Sequence, residues 1–377
     1  MKVKLGDIFE IGSGGTPSKG HSEYYGGNIP WVKTGDLKTT YLYNVEDYIT
    51  EDGLNNSSAK IYEPDTVLIA MYGATIGATS ILKIDACTNQ ACAAFKPNNK
   101  VKPEYLYYFL RSKRNKFIND GVGGAQPNIS AGYLKKVSME LPILEKQKEI
   151  IDVLNRIVAV IEIRKQELIK LDDLIKARFV ELFGDQETNP FDWEQCTIGE
   201  CCTLKSGTSL PAEVENEGGP IPYVKVGDMN YPGNEKYITT SSRYVSEETA
   251  GKGLFEVGSV LFPKRGGAIG TNKKRMTKLP VCADLNVMGV SSNGKLLPEY
   301  LLAYFDLVDL GALSDGSSVP QINNKNIVPL VICVPPMELQ NQFATFVEQT
   351  DKSKVAVQKA LDEAQLLFDS LMQKYFG

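Results

Sequence analysis

Clusters of basic residues are the feature of this sequence that most directly indicates a chemistry, the binding of phosphate groups. One cluster places six Lys and Arg residues within fifteen positions and contains no acidic residue: Lys264, Arg265, Lys273, Lys274, Arg275 and Lys278. A second cluster closely follows three tyrosines: Arg111, Lys113, Arg114 and Lys116. Glycines in the first cluster, such as Gly266 and Gly267, would let the backbone approach a duplex closely. We expect both clusters to contact DNA phosphates, although a run of charge is also typical of a solvated loop.

Three more residues are candidates for contact with DNA. Lys33 and Lys225 occupy matching positions of an octapeptide that occurs twice, and Tyr72 begins a glycine-containing loop that also occurs twice. A structural role at the edge of a strand would explain the two lysines equally well.

Three other motifs could do chemistry, but each lacks a part that its reaction needs. Thr188-Asn189-Pro190-Phe191 is similar to the N-P-P-[YF] loop of amino-methyltransferases, yet it has one proline and no glycine-rich cofactor motif upstream. The stretch from Gly12 to Pro17 does not fit the phosphate-binding spacing G-x-x-x-x-G-K-[ST]. Pro64-Asp65 is not followed by the [DE]-x-K of a metal-dependent nuclease. The sequence therefore predicts turns and a linker here, and no catalytic residue.

The cysteines and the single histidine form a poor metal-binding set. Seven cysteines occur without a C-x-x-C pair, and His21 is the only histidine. We expect no bound metal, and reduced cysteines that pack as small hydrophobic residues in a cytoplasmic protein. The first ten residues alternate charged and apolar side chains, so we expect no signal peptide. No stretch approaches the roughly 20 apolar residues that a membrane-spanning helix needs.

The elements that must position the basic residues occur twice in the chain. The octapeptide IPWVKTGD, from Ile29 to Asp36, recurs as IPYVKVGD, from Ile221 to Asp228, at an offset of 192. The other matched pairs, at offsets of 193 to 195, include Gly73 and Gly266, Gly77 and Gly270, PEYL at Pro103 and at Pro298, Gln147 and Gln340, and Phe183-Gly184 and Phe376-Gly377. A ladder of matches in the same order indicates one module written twice.

Each copy divides into a globular head and a long helix. We expect an α+β fold with two tandem globular α/β heads, at residues 1–142 and 186–335, each followed by a long helix, at residues 143–185 and 336–377. Apolar residues at 3-4 spacing form the helix-pairing stripe: Ile150, Leu154, Ile157, Ile161 and Leu168 in one copy, and Phe343, Val347, Leu361 and Phe368 in the other. Such stripes predict an antiparallel coiled coil with pseudo-twofold symmetry, in which helices of roughly 60 Å hold the heads at a fixed distance.

The overall charge argues mildly against nucleic acid as a partner, but its distribution does not. The net charge is −5, whereas residues 1–142 carry 16 Lys and Arg against 14 Asp and Glu. Local positive patches matter more for binding phosphate than the total charge.

Taken together, these features resemble the specificity (S) subunit of type I restriction–modification systems over the whole chain. The carriers of the resemblance are Gly15-Thr16-Pro17, the repeated octapeptide, Asn89-Gln90, Gln126-Pro127-Asn128-Ile129-Ser130, Leu141-Pro142 before Gln147, Leu182-Phe183-Gly184, and Asn189-Pro190 before Trp193. The second copy departs in three places, with Thr208-Ser209-Leu210-Pro211, Asp284-Leu285-Asn286 and Val319. These departures are expected if the two heads read different sequences.

The resemblance implies that the heads are two target recognition domains, each of which reads one half of a split, asymmetric site in double-stranded DNA. It implies two modification (methyltransferase) subunits and restriction (translocase–nuclease) subunits as partners, which use S-adenosylmethionine, Mg²⁺ and ATP. This chain would bind none of those cofactors, and a partner would methylate adenine N6 on a base flipped out of the duplex. We expect a gap of roughly 5–8 base pairs between the half-sites. Unmatched stretches, such as 39–59 against 231–251, are where we expect the bases to be read.

Two other functions remain open from the sequence. A free-standing transcriptional regulator would bind specific DNA tightly without partners, although the sequence has no helix-turn-helix signal. A cryptic methyltransferase or nuclease would need motifs that are missing.

Overall fold

The computed structural model describes residues 1–121 and 128–377. The chain forms two compact units, one of Met1–Lys165 with Lys359–Gly377 and the other of Gln166–Gln358. Both boundaries fall inside the long helices. Each unit therefore consists of one head and one half of each helix, whereas the division predicted from the sequence kept heads and helices apart.

The first head is built from short strands and helices. Its strands are β1 (Lys2–Lys4), β2 (Ile11–Ser13), β3 (Tyr25–Val32), β4 (Tyr41–Leu42), β5 (Tyr48–Ile49), β6 (Ile61–Tyr62), β7 (Val67–Ala70), β8 (Thr79–Leu82), β9 (Ala86–Thr88), β10 (Cys92–Phe95) and β11 (Ser138–Glu140). Its helices are α1 (Leu5–Ile8), α2 (Glu51–Asn55), α3 (Pro103–Ser112), α4 (Arg114–Asp120) and α5 (Ala131–Lys136). The helix α6 (Leu144–Phe183) follows.

The second head repeats the strands of the first, but among the described residues it has no counterpart of α4. Its strands are β12 (Glu194–Thr197), β13 (Cys202–Ser206), β14 (Ile221–Val224), β15 (Tyr237–Ile238), β16 (Tyr244–Val245), β17 (Leu254–Phe255), β18 (Val260–Pro263), β19 (Arg275–Thr277), β20 (Val281–Ala283), β21 (Val287–Ser292) and β22 (Val331–Val334). Its helices are α7 (Ile198–Cys201), α8 (Glu247–Ala250), α9 (Pro298–Leu307) and α10 (Asn324–Ile327), and α11 (Met337–Phe376) ends the fold.

The two heads have the same sheet topology. The five-stranded sheet has the order β2-β10-β7-β8-β4 in the first head and β13-β21-β18-β19-β15 in the second. The four-stranded sheets, β5-β3-β9-β6 and β16-β14-β20-β17, and the two-stranded pairs, β1-β11 and β12-β22, also correspond. The parallel pairs are the same as well, β4 with β8 and β3 with β9 against β15 with β19 and β14 with β20. The repeat in the sequence is therefore a repeat of the fold.

The central strands of the five-stranded sheets are buried on both faces. All four residues of β7 and all four of β10 are buried, as are all four of β18. A continuous apolar run of this length is what a strand covered on two sides requires. One face of the first sheet packs on α3, where Tyr105, Leu106 and Phe109 are almost fully buried. These layers fix the positions of the loops that leave the strands.

The long helices run antiparallel within each unit. In the second unit the contacts between them, in the order of α6, are Asp172 with Lys354 (2.6 Å, oxygen to nitrogen), Arg178 with Phe346 (5.7 Å to the ring centroid) and Phe183 with Phe343 (5.5 Å between centroids). In the first unit Tyr105 bonds the carbonyl of Glu140, shortly before α6, and contacts the ring of Phe376, whereas Tyr108 bonds Asn155 of α6 and contacts the ring of Phe368. Positions rise along α6 as they fall along α11, which confirms the antiparallel pairing inferred from the apolar stripes.

Most residues of the predicted stripes enter the cores. In the first unit Ile150, Leu154, Ile161 and Phe368 are buried and Ile157 and Leu361 are partly buried, and in the second unit Phe343 and Val347 are buried. Leu168 is only half-buried and lies in neither core. The stripe missed Phe179 and Phe183, whose rings contact Phe343 and also Tyr300 of α9. A pattern for helix pairing alone does not predict residues that also pack against a head.

A buried glutamine at the start of each helix joins it to its head. The side-chain oxygen of Gln147 accepts from the Lys102 backbone N–H (2.9 Å), and its amide donates to the carbonyls of Lys100 and Pro142 (2.9 Å each). Gln340 makes the same three bonds to residues 297, 295 and 335. Both side chains are almost fully buried, so each satisfies backbone groups that water cannot reach. This explains why the repeat retains glutamine there.

Candidate nucleic-acid interface

In the first head, the loops that carry the repeated motifs meet at one edge of the sheets. We call this the loop edge of the first head, and it comprises residues 14–17, 31–36, 71–77, 89–91 and 128–130. Its bonds are Gly15 N–H to Thr88 O (2.9 Å), Trp31 Nε1–H to Gly15 O (3.0 Å), Asn89 N–H to Val32 O (2.9 Å), Met71 N–H to Ala91 O (2.8 Å) and Ile129 N–H to Met71 O (3.0 Å). Motifs that are far apart in the sequence therefore form one surface.

The second head has the same network at its own loop edge, residues 207–211, 223–228, 264–271, 284–286 and 320–323. The corresponding bonds are Thr208 N–H to Ala283 O (2.8 Å), Tyr223 O–H to Thr208 O (2.9 Å), Asp284 N–H to Val224 O (2.9 Å), Lys264 N–H to Asn286 O (2.9 Å) and Ile322 N–H to Lys264 O (2.9 Å). All five bonds of the first head have a counterpart. The backbone of the loop edge is thus the same scaffold in both heads.

The aromatic residue of the octapeptide holds the neighbouring loop. Trp31 and Tyr223 are both almost fully buried, and each donates from its polar end to the carbonyl of the equivalent loop residue. The exchange of Trp for Tyr therefore preserves a structural bond. A large aromatic residue that buries its ring and pairs its polar atom is favoured at such a site.

Glycine is required where two loops of this edge touch. A Cβ atom built on Gly14 would lie 1.7 Å from the carbonyl oxygen of Thr88, and one on Gly207 would lie 2.1 Å from that of Asp284. Both collisions are with backbone, so no side-chain movement relieves them. The G-S-G-G stretch, for which the sequence predicts a surface turn, is therefore buried at Gly14 and Gly15 and packs closely against other loops of the head.

Asn89 and Asp284 play one structural role despite their different charges. The side-chain oxygen of Asn89 accepts from the Ala91 backbone N–H (3.1 Å), and that of Asp284 accepts from the Asn286 backbone N–H (2.9 Å). Each thereby closes the turn that leads into the next strand, an Asx turn. The change at this position adjusts the charge of the edge and keeps its shape.

Lys33 and Lys225 are paired with acidic residues in both heads. The Lys33 ammonium forms an ion pair with Asp47, whose hydrogen bond raises the pKa of that lysine, and the Lys225 ammonium binds both oxygens of Glu215 (2.8 and 2.7 Å). Their backbone N–H groups bond the carboxylates of Asp36 and Asp228 (2.7 Å each). The repeated Lys-x-Gly-Asp therefore has a structural role, and a phosphate would have to displace an acid to reach either lysine.

Tyr72 and Arg265 are more accessible. Tyr72 is 42% exposed, and Arg265 is also exposed. They occupy equivalent positions, because Tyr72 forms an isolated antiparallel bridge with Asn128 and Arg265 forms one with Gln321. The neighbouring Lys264, which is half-buried, donates to the Ser206 hydroxyl (3.0 Å). Sequence reasoning did not select Asn128 or Gln321 as site residues, although both lie one position after a matched proline.

The predicted cluster at residues 111–116 lies on α3 and α4, and its Arg114 contacts Ile76 of the loop edge. Arg111 donates to the Tyr107 hydroxyl (2.8 Å), and Lys113 donates to the backbone carbonyl of Phe376, where burial lowers the pKa of its ammonium. Arg114 donates to Ile76 O (3.3 Å), and Lys116 is exposed. Arg111 and Arg114 also line a polar cleft of about 600 Å³ within the first unit, together with Lys38, Lys165 and residues of both long helices.

The prediction that Lys273, Lys274 and Arg275 all contact phosphate is wrong for Lys274, which the fold turns inward. Lys274 is 5% exposed, and its ammonium donates to Val308 O (2.6 Å) and to the Asn272 side chain (2.8 Å). Arg275 is half-buried and donates to Met229 O (3.2 Å), and Lys273 is also half-buried and bonds the Asn230 side chain. Burial lowers the pKa of Lys274 to about 8. Because the ammonium of Lys274 is buried and bonded to the Val308 carbonyl and the Asn272 side chain, it is not available to a phosphate in this structure.

Two further observations concern chemistry. All seven cysteines are free and buried, and burial raises the pKa of the Cys87 and Cys92 thiols to about 12. Within residues 1–121 and 128–377, no three His, Cys, Asp or Glu side chains group as metal ligands, and no helix has the length and apolarity to cross a membrane. Gln126 and Pro127, which contributed to the resemblance, lie outside the described residues.

A duplicated α/β head with a common loop scaffold, each copy followed by a long helix, defines a two-headed recognition protein. The chain belongs to the family of type I restriction modification DNA specificity domains, and the family match covers residues 1–173 and 190–364. This match confirms the resemblance found in the sequence and the tandem α+β architecture.

Individual relatives agree with this assignment. The type I restriction enzyme MjaIX specificity subunit of Methanocaldococcus jannaschii is 27% identical over 98% of this chain and 91% of that protein. The EcoR124I/EcoR124II specificity subunit of Escherichia coli is 27% identical over 40% of this chain and 39% of that protein.

Solved structures share the fold. A chain from a type I R-M system, studied for its complex assembly and conformational transition, has a TM-score of 0.66 at 18% identity, covering 100% of this chain and 97% of that one. The S subunit from M. genitalium has a TM-score of 0.55 at 17% identity, with coverages of 100% and 96%. Both similarities concern the architecture.

Proposed function

We propose that this chain is the DNA-sequence-specificity subunit of a type I restriction–modification complex. Each head reads one half of a bipartite, asymmetric site in double-stranded DNA. The observation that carries this proposal is the loop edge, where all five scaffold bonds recur in both heads while exposed side chains such as Tyr72 and Arg265 differ. One scaffold with two different surfaces is what recognition of two different half-sites requires.

The second part of the proposed function, spacing the heads and binding the partner subunits, belongs to the two long helices. Each has 40 residues, and therefore a length of about 60 Å. We propose that their length sets the gap between the half-sites and that their outer faces bind two modification subunits, which in turn recruit the restriction subunits. Apolar side chains that remain exposed on these helices suit such contacts: Val160, Ile163, Ile169, Val355, Leu366 and Leu367.

Catalysis belongs to the partners in this proposal. S-adenosylmethionine, Mg²⁺ and ATP would be bound by the modification and restriction subunits, and adenine N6 methylation would be done by the modification subunits. This chain contributes the choice of site. The loop edge supplies hydrogen-bonding groups and cations, which bind DNA without changing it.

The direct test is reconstitution with modification subunits. The chain, the modification subunits, and the two together are incubated with S-adenosylmethionine and a library of DNA fragments. Methyl transfer at a defined sequence is expected only when the chain and the modification subunits are both present. The specific binding of DNA by the chain is expected to tighten when the modification subunits are added. Methyl transfer by the isolated chain would contradict the proposal, and equally tight specific binding without partners would indicate a free-standing regulator.

A further inference from the structure

Tyr72 and Arg265 occupy equivalent positions in the two heads, as several separate backbone contacts show. The residue before each of them donates to the loop after the neighbouring strand, from Met71 to Ala91 and from Lys264 to Asn286. The same residue accepts from Ile129 in the first head and from Ile322 in the second. Together with the bridges to Asn128 and Gln321, these contacts fix the Cα atom of position 72 and of position 265 in the same frame.

The backbone after each position is also fixed. Gly73 has a φ of +66° and Gly266 has a φ of +75°, a left-handed conformation that favours glycine. The Gly266 N–H donates to the Pro320 carbonyl (2.8 Å). The loop therefore presents the side chain of residue 265 from a held backbone, which is the preorganisation that sequence readout needs.

The side chains at this place are free to act. Facing residues of an antiparallel bridge direct their side chains to the same face. Arg265 is therefore beside the amide of Gln321, and Tyr72 is beside the amide of Asn128. In the part of the chain that the structure describes, these four side chains form no hydrogen bond or ion pair. Lys33 and Lys225, on the same edges, are both engaged by carboxylates.

We propose that Arg265 binds a guanine in the half-site of the second head. Tyr72 occupies the equivalent position of the first head and gives that head a different base preference. This inference rests on the proposed function and adds a specificity-determining position to it. Two guanidinium N–H groups match the O6 and N7 acceptors of guanine in the major groove, which is the commonest specific contact of arginine with DNA. A phenol has one hydroxyl and cannot form that paired contact. The position lies in the matched loop and outside the unmatched stretches 39–59 and 231–251.

A contact of Arg265 with phosphate is the competing explanation, and lysine separates the two. Lysine keeps the charge, so it would restore a phosphate contact, but it lacks the planar fork that binds guanine at two atoms. A phosphate contact changes affinity about equally for all sequences, whereas a base contact changes the preference at one position.

The experiment uses the whole chain in complex with modification subunits, and maps methylated adenines over DNA in which every position of the site is varied. The variants are Arg265→Ala, Arg265→Lys, Tyr72→Arg and, as a matched loss of charge away from the edge, Lys295→Ala. We expect Arg265→Ala to lower the preference for guanine at one position of one half-site by roughly 5- to 150-fold, and Arg265→Lys to recover only part of it. Tyr72→Arg should change one position of the other half-site, and Lys295→Ala should change nothing.

The outcomes are distinct. If Arg265→Ala leaves every base preference unchanged, or if Arg265→Lys restores full activity at all sequences, the guanine contact is wrong. If the unaltered complex methylates no defined sequence, the proposed function itself fails. Because Arg265 is exposed and its backbone bonds do not involve its side chain, loss of folding is not expected, and urea denaturation of each variant checks this.

Discussion

Asp351 of α11 binds two residues of the second head, Lys236 and Tyr237, and its removal should destabilise the second unit. Its carboxylate accepts from the Lys236 ammonium (2.8 and 2.9 Å) and from the Tyr237 hydroxyl, and the two charged side chains are only 22% and 23% exposed. Burial lowers the pKa of Lys236 and raises that of Tyr237. Removing one partner of a buried ion pair costs about 3–5 kcal/mol. Since part of each side chain still meets water, we expect Asp351→Val to cost about 2–3 kcal/mol.

The first head shows what the pair can be replaced with. Thr40 stands where Lys236 stands and Val158 where Asp351 stands, and there Tyr41 donates to Glu104 instead (3.2 Å). The double variant Lys236→Thr/Asp351→Val copies this arrangement and leaves no unpaired charge, with Glu299 in the place of Glu104 as an acceptor for Tyr237. We therefore expect the double variant to lose less than about 1 kcal/mol, since apolar replacement of a buried ion pair is often neutral.

The assay can be confined to the second unit. The chain has two tryptophans, Trp31 in the first head and Trp193 in the second unit, and tyrosine already serves at the position equivalent to Trp31. In a Trp31→Tyr background, the fluorescence of Trp193 in urea reports on the second unit. The reasoning would be refuted if the double variant lost as much free energy of unfolding as the two single variants together. Additive losses would mean that the two side chains do not interact.

Three further predictions concern packing, protonation and helix length. Gly14→Ala should destabilise the first unit by about 1–3 kcal/mol through its collision with the Thr88 carbonyl, measured by Trp31 fluorescence, whereas Gly35→Ala, which meets nothing within 4 Å, should be neutral. The pKa of Lys274 is lowered from 10.5 to about 8, so between these values the unfolded chain holds a proton that the folded chain has released, and the free energy of unfolding should rise with pH there. Lys274→Met should lack that rise in urea titrations at pH 8 and 10, and an equal rise in both proteins would contradict the assignment. Inserting one heptad into both long helices should lengthen the gap of the recognised site by about 10 Å, or about three base pairs, and an unchanged gap would contradict the role of the helices.

The repeat made the architecture predictable. Matches at offsets of 192 to 195 mark residues that hold the scaffold, such as Gln147, Trp31 and Gly14, and these positions are determined by backbone groups that both copies share. The helices, predicted at 143–185 and 336–377, are observed as Leu144–Phe183 and Met337–Phe376. Long apolar periodicity with few glycines and prolines is sufficient for such a prediction.

The environment of individual charges was not predictable. Lys33 pairs with Asp47, which follows it in the chain, whereas Lys225 pairs with Glu215, which precedes it, so the same lysine has partners from unmatched segments. Lys274 lies between two other cations in the sequence, yet it is buried and its ammonium donates to the Val308 carbonyl. A run of charge does not reveal which of its members the fold turns inward, because that depends on segments distant in the sequence.

The central claim is that each head reads its own half of a split site, and the sequence of the methylated site tests it most directly. Methylated adenines are mapped in DNA from cells that contain this chain with its modification subunits, for the natural chain and for a variant whose first head is exchanged for that of a relative. We predict two short specific sequences separated by roughly 5–8 unspecified base pairs, with only one of them altered by the exchange. A continuous recognition sequence, or an exchange that alters both halves together, would contradict the account.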